Sequence, residues 1–99
     1  MEVEVSRYTV RVELHRAGSD DYDLLHEFME AEGFLRYIVD DDDARHQLPT
    51  AEYNISSNGG RVSILKRAKQ AALQTGKQYM VFVTESNGRT WWNLPPWRG

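Results

Sequence analysis

Apolar and polar residues alternate without a break from Tyr8 to His15. Tyr8, Val10, Val12 and Leu14 fall on one side of an extended chain, and Thr9, Arg11, Glu13 and His15 fall on the other. A period of two with β-branched residues predicts a strand that buries one face. Residues 1–6 keep the alternation, so the strand either extends into them or frays there.

The period then changes. Arg16-Ala-Gly-Ser-Asp turns the chain. Ser19 or Asp20 suits an N-cap, because a side-chain oxygen can accept an orphan amide of the first helical turn. Asp21 and Asp23 sit where the helix dipole favours negative charge. Leu24, Leu25, Phe28 and Met29 recur at helical spacing up to Glu32, and Gly33 suits the position that ends the helix. Phe34–Val39 is apolar on both sides except for Arg36 and reads as a second strand. Asp40–Asp43 is a turn. From about His46 to Ser56, Ala51, Tyr53 and Ile55 alternate with Thr50, Glu52, Asn54 and Ser56, which predicts a third strand. Pro49 has no amide to donate, so it belongs at the start of that strand, at an edge or at a bulge.

Asn58-Gly59-Gly60 breaks the chain again. A second helix follows over Arg61–Thr75, with Ile64, Leu65, Ala68, Ala71 and Ala72 as its buried stripe. Tyr79–Thr84 is a last strand, apolar on both sides. Asn87-Gly88 is a favoured two-residue hairpin turn. It predicts that Arg89–Trp92 returns as a short strand beside Tyr79–Thr84, with Asn93–Gly99 extended around Pro95 and Pro96. The order β-α-β-β-α-β with right-handed crossovers predicts an α+β, ferredoxin-like domain. The first and third strands would lie in the middle of a four-stranded antiparallel sheet, with both helices on one face. One domain spans 1–99, its core over about 6–85 and the hairpin and tail over 86–99. Val10, Val12, Leu14, Leu25, Phe28, Tyr53, Ile55, Leu65 and Ala68 are expected to be buried together.

Composition narrows the function classes. No apolar run approaches the roughly 18–20 residues of a membrane span. Met1-Glu-Val-Glu-Val is acidic and unlike a signal peptide. The absence of cysteine removes disulfides, thiol catalysis and zinc–thiolate sites, and fits a cytoplasmic protein. The net charge of −3 hides two unlike halves. Residues 1–53 hold 5 Lys/Arg against 14 Asp/Glu, a net of −9, and residues 54–99 hold 7 against 1, a net of +6. The acidic whole argues against unspecific binding to polyanions, and no DNA partner is expected, while the basic half leaves room for a local basic surface.

A set of segments resembles a known family. Tyr8-Thr-Val-Arg-Val-Glu-Leu, a helix closing at Gly33-Phe34, Tyr37-Ile-Val-Asp, and Gln47-Leu48 followed by Tyr53-Asn-Ile-Ser are similar to the GhoS-type antitoxins. That resemblance covers residues 8–56 best. It implies a small ferredoxin-like endoribonuclease from a type V toxin–antitoxin pair, acting on single-stranded messenger RNA. The family's acidic position on strand one corresponds to Glu13. An arginine near Gln47-Leu48 corresponds to His46, with Arg45 beside it, so both are candidate RNA contacts. The Trp-rich tail has no counterpart.

The chemistry on strand one agrees in type. Cutting RNA through its own 2′-hydroxyl needs a base, an acid and a cation for the charge developing on phosphorus. Glu13, His15 and Arg11 are such groups, about 7 Å apart on one side of a strand. The more ordinary reading of the same row is a solvated face with cross-strand ion pairs to Glu52. Arg61, Lys66, Arg67, Lys69 and Lys77 suggest a phosphate track, or simply the wet side of a helix. Asp40–Asp43 with His46 offers hard oxygen ligands but lacks calcium-loop spacing, so it reads as an acidic turn. No metal or other cofactor is expected. Trp91, Trp92 and Trp97 suit base stacking, cover for an open sheet face, or a homodimer interface. Three readings remain: an endoribonuclease-like antitoxin, a non-catalytic RNA- or protein-binding module of the same fold, or a purely structural dimer with the tryptophan tail as its interface.

Overall fold

The computed structural model describes residues 5–99; the expectation for residues 1–4 lies outside them. The elements are β1 (Ser6–Leu14), α1 (Ser19–Ala31), β2 (Tyr37–Val39), β3 (Arg45–Gln47), β4 (Glu52–Ser57), α2 (Gly60–Leu73) and β5 (Tyr79–Glu85). β1 is the central strand of a three-stranded antiparallel sheet in the order β4-β1-β5, and β2 and β3 form a separate two-stranded sheet.

The alternation in β1 sets the register of everything beside it. Val10 lies opposite Tyr53 of β4 and Val83 of β5, and Val12 lies opposite Val81. Tyr8, Val10, Val12 and Leu14 are buried, as are Tyr53 and Ile55. Leu25 and Met29 of α1 and Ile64, Ala68, Ala71 and Ala72 of α2 join them in one core cluster. The two helices therefore share one side of the sheet. The alanines leave only methyl groups at the contact, so α2 comes close to the strands. Each large side chain withdrawn from water here contributes about 1.5–3 kcal/mol.

α1 starts earlier than its sequence suggests. Gly18 is its N-cap, and its amide donates to the Asp21 carboxylate at 2.9 Å. Ser19 and Asp20 thus lie inside the helix. Leu24 faces solvent, whereas Phe28 and Leu65 are half-buried. At the other end the Arg67 guanidinium donates to the Glu32 carbonyl, sits 3.8 Å from its carboxylate and lies 5.8 Å over the Phe34 ring. That clamp fixes α2 against the turn at Gly33. A Cβ on Gly33 would meet Arg67 Nη2 at 3.0 Å, and its φ of +93° disfavours any side chain.

The middle of the chain departs most from expectation. Phe34–Val39 is not one strand. Leu35 makes a single bridge to Asn54, and the chain then leaves the main sheet to pair Tyr37–Val39 with β3. The predicted strand from His46 to Ser56 is likewise cut in two. Pro49 supplies no amide, and Ala51 takes a φ of 68°, which turns the chain before β4. The expected four-stranded sheet is thus three-stranded, with the fourth position reduced to one bridge.

The tail is corrected as well. Arg89–Trp92 does not pair with β5. Pro95–Trp97 instead lies along β3: the Gln47 amide donates to the Pro95 carbonyl at 2.8 Å and the Trp97 amide to the Arg45 carbonyl at 3.0 Å. The Trp97 ring packs 5.4 Å from Tyr37, with the Arg36 guanidinium 5.7 Å away. Neither Trp91 nor Trp92 enters the core, and Trp92 is 87% exposed. No helix among the described residues is long and apolar enough to cross a membrane.

Candidate functional site

The sheet face turned away from the helices is open. Across it, Arg11 of β1 lies opposite Glu52 of β4 and Phe82 of β5, and Glu13 lies opposite Met80. Arg11 and Glu13 are exposed, and Met80 and Phe82 are 64% and 70% exposed. The last strand was expected to need cover on this side, and no described segment supplies it at Phe82. His15 follows the end of β1, and its amide donates to the Gln78 carbonyl at 2.8 Å, which carries the strand geometry one residue further. Glu13 and His15 line one shallow depression with Met80, and Arg11 and Glu13 line the next with Phe82. Among the described residues, Arg11 and Glu52 form no ion pair; the pairs present join other residues. An acid and a guanidinium are thus free beside an uncovered aromatic ring, with an imidazole further along the same row. That arrangement offers proton transfer, charge neutralisation and base stacking on one surface.

The remaining candidates stand elsewhere. Arg45 and His46 lie on β3. The Arg45 guanidinium sits 4.7 Å over Tyr37, and His46 Nε2 is 2.7 Å from Asp40 Oδ2. Asp40 is the hub of its turn, because its other oxygen accepts the amides of Asp42 and Ala44. These bonds, led by the one from His46, hold its carboxyl below the ordinary carboxylate range. Arg61, Lys66 and Lys69 are exposed on α2, across the sheet from Glu13. Arg67 is half-buried and engaged by Glu32, and Lys77 Nζ reaches Asp21 Oδ2 at 3.9 Å. Among the described residues no three His, Asp or Glu side chains converge as metal ligands.

One polar pair gave no sequence signal. His26 Nδ1 and Tyr53 Oη lie 2.6 Å apart beneath α1. Nothing in the chain links two residues this far apart, although a histidine beside the buried Leu25 marks the edge of the helix's apolar stripe. Burial, then the Arg36 charge, pull His26 below its ordinary value near 6.5, against a smaller opposing effect of Asp23. Burial also pushes the Tyr53 hydroxyl up. Both shifts favour the neutral forms of the pair in the folded protein. The unfolded chain takes up the proton first on acidification, so this contribution to stability is complete above about pH 6.5 and declines below it. The urea midpoint should fall between about pH 7.5 and 5.5, and less so in His26→Asn. An equal fall in both proteins would remove His26 as the cause.

The family model described as Endoribonuclease GhoS matches residues 2–87 of the chain. The match extends past the segments of strongest resemblance, through α2 and β5, and leaves the tail outside. No curated protein and no solved structure matches.

Proposed function

This chain belongs to the GhoS endoribonuclease family, and from that membership we propose that it acts as a cytoplasmic antitoxin that cuts single-stranded messenger RNA on its open sheet face. The observation that carries this reading is the placing of Glu13, Arg11 and Phe82 together on that uncovered face. A base stacks on Phe82. Glu13 takes the proton from the 2′-hydroxyl, whose oxygen then bonds to the adjacent phosphorus. His15, on the other side of the reacting phosphate, gives a proton to the departing 5′-oxygen as its bond to phosphorus breaks. Arg11 neutralises the charge on the phosphoryl oxygens. The products are a 2′,3′-cyclic phosphate and a 5′-hydroxyl, and the step calls for no metal. DNA lacks the attacking hydroxyl. Arg45 and His46 extend the RNA contacts, while Arg61, Lys66 and Lys69, on the helical side of the sheet, offer salt-sensitive phosphate contacts only to RNA that passes round its edge. The order β5-β1-β4, with Leu35 bridging to Asn54, supports a ferredoxin-like arrangement with a reduced fourth strand, formed as one domain.

Phe82→Ala tests the stacking. It removes an exposed ring, so the fold should keep its melting temperature. Loss of one base stack is worth about 1–3 kcal/mol, so affinity for single-stranded RNA should fall by roughly tenfold or more. Unchanged affinity would move the RNA off this face.

A second reading draws on the same strand. Among the described residues β5 pairs only with β1, and its free edge runs beside Met80 and Phe82. Edge pairing with a second copy would make a symmetric homodimer and a non-catalytic interaction module. Light scattering across a concentration series separates the two readings: a monomer at every concentration removes the second.

A further inference from the structure

Beyond β5 the chain turns through Ser86–Gly88, and Arg89 reaches back to β1, its Nε donating to Thr9 Oγ1 at 3.1 Å. Nη2 of Arg89 is buried without a hydrogen-bond partner. A guanidinium carries N–H donors and no acceptor, so a buried unmet donor on it is costly. Arg7 stands two residues before Thr9 on β1, on the same open side. Burial first, and the Arg7 charge second, pull Arg89 below the usual guanidinium range. Among the described residues no carboxylate lies within ion-pair distance of either arginine. Both line a cleft of about 890 Å³, which the acidic turn Asp40–Asp42 and Glu85 also line. The fold thus holds two like charges together around an unmet donor, and leaves the space before them open.

We propose that this cleft binds one backbone phosphate of the RNA, held between Arg7 and Arg89. The inference rests on the reading of the open face as the RNA-cutting surface, and adds to it a fixed anchor. Arg7, Thr9, Arg11 and Glu13 form one row along β1, so a strand anchored at Arg7 runs on to the reacting groups. Six residues of strand place the anchor about 20 Å from Glu13. The carboxylates of Asp40–Asp42 and Glu85 line the same cleft, so the phosphate is held at its Arg7–Arg89 end. Arg89 lies outside the family match at residues 2–87, so half of this anchor is supplied by the chain's own tail.

The test titrates labelled single-stranded RNA into the full-length protein at several salt concentrations, for wild type, Arg7→Gln, Arg89→Gln and the double variant. In parallel, inorganic phosphate is titrated while the arginine Nε–H resonances are followed by NMR. The double variant should bind RNA about tenfold more weakly, with a salt slope shallower by about 0.7, the share of one single-strand phosphate. Phosphate should shift the Arg7 and Arg89 signals of the wild type. Arg7→Gln removes no hydrogen bond of the fold, so it decides the matter even if Arg89→Gln fails to fold. Phosphate shifts with an unchanged RNA slope would make the cleft a site for free anions and overturn the RNA assignment. Neither effect, in a wild type that binds RNA, would overturn the anchor and leave the sheet-face reading standing. A wild type that binds no RNA would instead remove the sheet-face reading, and this one with it.

Discussion

Glu13→Ala is expected to slow cleavage of single-stranded RNA by about 100-fold, the usual loss when one acid–base group is removed. His15→Ala should cost a similar factor, because protonation of the leaving oxygen is as necessary as activation of the attacking one. Both side chains are exposed, and neither makes a side-chain hydrogen bond or ion pair among the described residues. Their removal should therefore leave the melting temperature unchanged, which separates a chemical defect from a folding one. Arg11→Ala is expected to reduce both rate and affinity, since its charge acts on bound RNA as well as on the transition state. The readout is single-turnover cleavage at saturating protein, where binding no longer limits the rate. Normal rates in both Glu13→Ala and His15→Ala would place the chemistry on another part of the molecule.

Ending the chain after Glu85 is expected to be the most damaging change outside the core. It strips two backbone hydrogen bonds from β3 and the Trp97 ring from Tyr37 and Arg36. Together these are worth about 3 kcal/mol. For a domain of this size the melting temperature should fall on the order of 15 °C. The hairpin of β2 and β3 should lose its protection from hydrogen exchange first, because the lost contacts are there. The oligomeric state should not change, since the tail packs on its own chain. A truncated protein that melts like the full chain would show that the tail contributes nothing to the fold.

The two predictions draw on parts of the molecule that were unequally legible. β1 could be read residue by residue, because a central strand with one buried face has nowhere to put a slipped register. The helices were legible from Leu25, Met29, Ile64 and Ala68, whose spacing matches one face of each. The middle segment was not. Phe34–Val39 is apolar enough for a strand, and the alternation around Tyr53 runs back past Pro49 without a break. Only the missing proline amide and the left-handed turn at Ala51 divide it. The tail misled through Asn87-Gly88, whose local turn preference lost to contacts made far away in sequence: Arg89 with Thr9, and Pro95–Trp97 with β3. The site was half legible. Arg11 and Glu13 were visible in the alternation, but the exposure of Phe82 depends on where the tail goes, and the sequence pointed the tail the other way. The His26–Tyr53 pair and the Arg7–Arg89 cleft depend on distant residues meeting, which no local pattern encodes.

The most direct test of the central claim is the product of the reaction itself. Purified protein is incubated with end-labelled single-stranded RNA, with and without EDTA, beside a DNA of the same sequence. The open-face chemistry predicts discrete RNA fragments ending in 2′,3′-cyclic phosphate, equally in EDTA, and intact DNA. RNA left uncut across several sequences, or cleavage that EDTA abolishes, would contradict it.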